Sequence, residues 1–156
     1  MSAPIRLHRD GIGAVLTTIT GASAGLFAAG YLWPRRNLAD TSLKYPFWSL
    51  DTTRALPPDN LEEAGVTGAD EVRVRTRILI FDRYLDTQTQ YDDFVTLHEC
   101  ALTALRADAN LQLGQLANGC ALNRIVENSI TFLTTGTPPL MVGTIVCEAQ
   151  YFVPRT

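Results

Sequence analysis

The chain has 156 residues, a formal net charge of −3 at pH 7, 46% hydrophobic residues and 19% charged residues. Such a composition supports one domain with a substantial core that needs no disulfides, and it excludes a disordered chain. The charge excludes a general electrostatic pull toward nucleic acid or anionic membrane.

The first element is read as a helix over Ile5–Thr20, because Leu7, Ile12, Val15, Leu16 and Ile19 recur at near-helical spacing. Gly11 and Gly13 weaken it, and Gly21 is a plausible stop. No charge occurs between Asp10 and Arg35, so Ile12–Trp33 is long enough to span a bilayer or to act as a signal core. Its threonines and glycines favour a buried helix followed by a small-residue loop, and Pro34 ends whatever precedes it. Leu43–Leu50 is a short aromatic strand candidate that Pro46 relegates to an edge or an irregular path. Asp51–Asp70, with Pro57, Pro58, Gly65 and Gly68, is expected to be a long loop with one helical turn at Leu61–Ala64.

Glu71–Tyr84 is the clearest strand. Val72, Val74, Thr76, Ile78 and Ile80 point one way, and Arg73, Arg75 and Arg77 the other. A second helix is expected from Thr89 to Arg106, with Tyr91, Phe94, Val95, His98, Ala101, Leu102 and Leu105 as its apolar stripe. Cys120–Leu133 alternates imperfectly, with Cys120, Leu122, Val126, Ile130 and Phe132 on one face. After a turn at Thr134–Pro139, Leu140–Val153 places Met141, Ile145, Cys147, Ala149, Tyr151 and Val153 on one face, and Glu148 and Gln150 on the other. The expected fold is α+β: an antiparallel β-sheet of three to five strands with two or three helices packed on one face, in a single domain.

Chemistry-bearing residues do not assemble into a motif. Cys100, Cys120 and Cys147 are widely spaced and read as reduced, mostly buried thiols, with a disulfide between the two strand cysteines still open. His98 reads as a buried structural histidine, and His8, beside Arg6 and Arg9, as part of a solvated basic terminus. Asp82 and Asp86 flank Arg83 and read as a solvated turn rather than paired carboxylates. No P-loop, dinucleotide fingerprint or zinc spacing occurs, so no enzyme, metal or cofactor is expected. The row Arg73, Arg75, Arg77 is either the wet face of a sheet or a surface for an acidic subunit or a phosphate backbone. The aromatics Tyr31, Trp33, Tyr45, Phe47 and Trp48 are either core or interface anchors.

Over Val72–Phe152, the succession VRVRTRILIFDRY, YDDFVTLHECALTALRADANL, LANGCALNRIVENSITF and GTIVCEAQYFV resembles the tail terminator (tail completion, or minor tail) proteins of tailed bacteriophages. RLHRDGIGAVLTTI is compatible with that family's first helix. The resemblance implies a structural virion protein of the tail or neck, assembled in the host cytoplasm. It implies a homo-oligomer, a hexameric ring, that caps the tail tube, ends its polymerisation and joins it to a head–tail connector or neck protein. Genomic DNA would pass through the lumen without sequence-specific binding, and no membrane is involved. Under this reading Arg73, Arg75 and Arg77 form an inter-subunit or lumen-facing row, with Tyr45, Phe47 and Trp48 as interface aromatics. Asp59 and Glu62 in the long loop, and Pro138 in the Thr134–Pro139 turn, supply axial contacts. Gly21–Gly30 and Leu56–Gly68 depart from the family's pattern, which keeps open another neck, connector or tail-tube component.

Overall fold

The computed structural model describes residues 4–21, 26–54, 62–63, 69–109, 111, 123–136 and 138–154. In chain order the elements are α1 (Pro4–Thr17), β1 (Ala29–Tyr31), β2 (Phe47–Arg54), β3 (Glu62–Glu63), β4 (Ala69–Arg83), α2 (Gln88–Ala107), β5 (Asn123–Leu133) and β6 (Leu140–Pro154). The fold is α+β, with strand order β1-β2-β4-β6-β5 and β3 paired to β4 beside that path. β2, β4, β6 and β5 are antiparallel throughout. β1 joins β2 in parallel, so the sheet is mixed rather than purely antiparallel.

Strict alternation in β4 and β6 builds the frame. They pair over their whole length, from Ala69 opposite Pro154 to Arg83 opposite Leu140. At about 3.4 Å per residue this ladder runs roughly 45–50 Å. Its helix-facing side carries Val72, Val74, Ile78 and Ile80 from β4, and Met141, Ile145, Cys147, Ala149 and Tyr151 from β6. α1 covers that side with Ile12, Val15 and Leu16, and α2 with Phe94, Leu97, Ala101, Leu102 and Leu105. Each Val, Leu, Ile, Phe or Met side chain among them, once fully buried, contributes about 1.5–3 kcal/mol.

α2 starts where the sequence supplies a cap. Thr87 is extended and its hydroxyl accepts from Gln90 N at 3.3 Å, while Gln90 Oε1 accepts from Leu85 N at 2.7 Å. This is the Thr-x-x-Gln capping box, with the glutamine reaching slightly further upstream than the cap itself. The helix lies close to β6 at Gly143, where an added Cβ would come within 2.6 Å of His98 Nδ1 and 3.4 Å of Ile80.

A second, smaller core lies on the opposite side of the sheet. Phe47, Phe81, Leu140 and Val142 are covered by the segment before β2, through Leu43, Leu38, Tyr31 and Tyr45. Phe47 stacks on Phe81 at 5.0 Å and meets Tyr31 edge-on at 5.6 Å. This cover reaches only one end of that face.

Several expected boundaries move. The aromatic strand is not Leu43–Leu50: β2 begins at Phe47, because Pro46 has no N–H to give a ladder, though its carbonyl accepts from Ala28 N at 2.8 Å. β2 continues through Asp51–Arg54, since pairing with Val74–Arg77 satisfies backbone that local composition assigned to a loop. Glu62–Glu63 is extended and paired with Asp70–Glu71, not part of a helical turn. Between Ile125 and Glu127 a β-bulge shifts β5 against β6. The bulge puts Ile125, Asn128, Ile130 and Phe132 opposite the helix-facing residues of β6 and leaves Val126 exposed, against the expected grouping with Val126 inside. α1 ends at Thr17, and Gly21, with φ of 103°, lies in the turn beyond it.

Gly143→Ala is expected to lift α2 off the sheet and to cost about 1–3 kcal/mol, read as a lower urea midpoint with an unchanged slope. An unchanged midpoint would mean that the helix does not rest on this glycine.

Candidate functional site

The three arginines share one face, as period two requires, and it is the face turned away from the helices. Each faces a β6 residue across the ladder: Arg73 is opposite Gln150, Arg75 opposite Glu148 and Arg77 opposite Val146. Arg75 Nε donates to Glu148 Oε2 at 2.7 Å. On the other side of β6, Arg124 of β5 is in register with the same Glu148. The carboxylate therefore sits between two cations, and Arg124, Glu148 and Gln150 line a shallow cleft. Asp51 lies opposite Arg77 from the β2 side. The row is thus part of a mixed-charge band rather than a purely basic stripe. Arg77 and Arg75 are exposed and Arg73 is half-buried. The Arg75 side chain keeps 53% of its surface, so its ion pair contributes at most about 1 kcal/mol.

The aromatic group divides. Tyr31, Tyr45 and Phe47 belong to the smaller core, and Arg83 sits 5.1 Å over the Tyr45 ring. Trp48, one residue on, points to the other side of the sheet into the main core, and its Nε1 donates to Thr20 Oγ1 at 2.9 Å. Its indole occupies the space where a side chain on Gly30 would lie. Trp33 remains 54% exposed. Phe47 and Trp48 are therefore buried core residues rather than free interface anchors.

Pro138 is half-buried in the turn between β5 and β6, beside the β4 terminus, where Tyr84 N donates to Pro139 O at 3.0 Å. Asp59 lies outside the described residues. Glu62 is in β3, with only its backbone described. The ladder puts Arg54 and Ala69, which bracket the long connection, at one end of the sheet, and Leu133 and Leu140, which bracket the turn, at the other.

Sequence reasoning missed a polar chain at the centre of the domain. His8 is fully buried, not solvated. α1 lies with His8, Gly11, Ile12 and Val15 against the sheet, so the stripe includes the histidine and turns Arg6 outward. Asn123 Oδ1 lies 2.8 Å from His8 Nε2 and can only accept, so Nε2 carries the proton. Nδ1 then accepts from the Thr76 hydroxyl at 2.8 Å, and Thr76 Oγ1 accepts from Thr52 at 2.8 Å. One neutral imidazole thereby joins α1 to β2, β4 and β5. Its signal in the sequence was the i, i+4 spacing from His8 to Ile12. Burial lowers the His8 pKa to about 4, with the Asn123 hydrogen bond opposing.

The remaining candidates are chemically quiet. Burial pushes the Cys147 thiol up to about 12, so it stays protonated, and Cys100 is a half-buried free thiol. Cys120 lies outside the described residues. His98 is buried as expected, and neither ring nitrogen has a hydrogen-bond partner among the described residues. Its pKa is lowered by burial, which the nearby Asn128 opposes. Asp82 and Asp86 separate: Asp82 is half-buried at the strand end with its pKa raised by burial, while Asp86 is exposed and accepts from Tyr84 Oη at 2.8 Å. Among the described residues no three His, Cys, Asp or Glu side chains group to hold a metal, and no helix is long and apolar enough to cross a membrane.

Each edge carries some exposed apolar side chains among polar ones. On the β5 side Tyr91 and Phe132 stack at 6.1 Å, and Phe132 meets Tyr84 at 5.1 Å. On the β1 side an open groove is lined by Arg9, Asp10, Gly13, Gly30, Leu32 and Trp48, among others. No family model and no curated protein matches this sequence.

The His8 shift has a definite sign. The folded pKa, about 4, lies below the unfolded value of 6.5. The contribution of neutral His8 is fully present above pH 6.5 and is lost as pH falls toward 4, amounting to about 3 kcal/mol if the whole shift is expressed. Urea midpoints of wild type should fall across that window, and His8→Gln should show a flatter slope there, keeping what His98 adds and Asp82 opposes. An equally steep slope in His8→Gln would remove His8 as the cause.

Proposed function

We propose that this chain is a structural virion protein, the subunit of a hexameric ring at the head-proximal end of a phage tail tube. There it ends tube polymerisation and joins the tail to a connector or neck protein. The observation that carries the reading is the shape of the sheet. One long antiparallel ladder has helices on one side, a mixed-charge band on the other, and the two candidate axial segments attached at opposite ends. A subunit built this way can meet a tube with one end, a connector with the other, and its own copies through its edges.

Its mechanism is geometric. The tube-facing end matches the last tube ring, and the opposite end does not repeat that surface, so no further tube subunit can add. The mixed-charge band suits a wall past which DNA slides, because Glu148 and Asp51 dilute the arginines. Net charge and the neutral, buried state of His8 and Cys147 favour a structural over a catalytic role.

The test is polymerisation of the cognate tail tube protein, followed by negative-stain microscopy. Added early, this protein should give short tubes capped at one end, where tube protein alone elongates without limit. Unchanged tube length and bare ends would sink the terminator reading. Binding to the connector with no effect on tubes would move the protein to the neck.

A further inference from the structure

Among the described residues the exposed large hydrophobics are not scattered. Val126, Phe132 and Leu133 lie on β5, at one edge of the sheet, and Tyr91 stacks on Phe132 beside it. Leu32 and Trp33 directly follow β1, at the other. We propose that these two edges are the two halves of one contact between copies of this chain, with the β5 edge of one copy seated against the β1 edge of the next. The proposal rests on the ring reading and names where the ring closes.

Four observations agree. First, the edges differ in shape. The β5 side projects Phe132 and Tyr91 on its helix-facing side, while the β1 side offers, on that same side, the groove floored by Gly30, Leu32 and Trp48. Second, they lie at one level. Gly30 is in register with Trp48, Trp48 with Ile80, Ile80 with Gly143, and Gly143 with Ile130, two residues from Phe132. Third, strand directions fit. β5 runs opposite to β2, and β1 runs with β2, so a rotated copy that keeps its strands aligned meets β5 antiparallel to β1. Fourth, exposed charges differ in sign near that level. Glu127 of β5 and Asp92 and Glu99 of α2 lie on one side, with Arg124 at the far end of β5 opposite Glu148. Arg36 and Lys44 follow Trp33 on the other, where Asp40 is paired with Arg35. Two unlike edges make a heterologous contact, which generates rings when the rotation closes, whereas β5 against β5 would give only a two-fold dimer.

The experiment uses the full chain and two variants, Phe132→Glu on the β5 edge and Trp33→Glu on the β1 edge, with Val126→Glu as a second β5-edge variant and Leu32→Glu, in the groove itself, as a second β1-edge variant. Melting curves and circular dichroism check that each folds. Native mass is measured over a concentration series, alone and with tail tubes. Wild type should assemble into a closed species, alone or on tubes. Each variant alone should stay monomeric in both settings. At the top of the concentration series, where a single weak contact is populated, an equimolar mixture of Phe132→Glu and Trp33→Glu should stop at a heterodimer, because it retains one intact pair of edges.

Folded variants that assemble like wild type would overturn this contact and leave the terminator reading standing. So would dimerisation of Trp33→Glu alone beside a monomeric Phe132→Glu, the mark of a two-fold contact. A mixture still monomeric at the top of that series would also overturn it. Wild type that stays monomeric with and without tubes would overturn both this contact and the ring.

Discussion

Everything in the domain hangs on the full-length pairing of β4 with β6. The two strands have opposite parity in number but the same parity in space, so Val72 meets Tyr151 and Ile78 meets Ile145 on one side. That single register decides which residues are core and which face outward. A slip by one residue would bury Arg73, Arg75 and Arg77 and expose the valines and isoleucines. Burying three guanidinium groups without partners costs far more than any alternative packing could return, so the register has no close competitor. The smaller strands, both helices and the loop cover take their positions from it.

The helices fix how much of the sheet is closed. α1 is anchored through the neutral His8, which reaches strands on both sides of β6. α2 lies close to β6 at Gly143 and meets β5 where Tyr91 stacks on Phe132 and where Asn128 nears His98. The helical layer is still narrower than the sheet. β5 is left with exposed positions along most of its length and with one side unpaired among the described residues. Long, unpaired and partly apolar edges are normally blunted in monomers by charge, proline or a covering element. Here the bulge and the exposed Arg124 and Glu127 blunt the first half of the edge, while Phe132 and Leu133 stay exposed at its other end.

Much of this was legible in the sequence because strict alternation has one meaning. β4, β6 and α2 follow from periods of two and near 3.6, although the helix, expected from Thr89 to Arg106, runs Gln88–Ala107 because Thr87 caps it. The features that were not legible share a cause, which is that tertiary partners decide them. Thr52 and Thr53 become strand because β4 is long enough to pair with them. The bulge near Val126 changes the parity of β5 with no local mark. Phe47 and Trp48 are adjacent, so they enter different cores, although composition groups them as one aromatic cluster. His8 reads as solvent-facing beside two arginines until the tilt of α1 is known. The arginine row was placed correctly on one face, yet its charge is shaped by Glu148 and Asp51, which are distant in sequence.

These features bear on how such a subunit would assemble. The apolar side chains at either edge are few, and association must first offset several kcal/mol of lost translational and rotational freedom. A single edge-to-edge contact of this size is weak. In a closed ring every copy is held by two contacts, and leaving requires both to break, so closure gains what a pair lacks. A tube end that holds several copies side by side raises their local concentration in the same way. Weak edges are then an advantage for a cap. They disfavour free rings and long strings of subunits in solution, and they allow closure where a template brings the copies together. On this view the incomplete cover of the β5 edge and the modest apolar strip beside it are one property: an edge sticky enough to close a ring on a tube and too weak to polymerise without one.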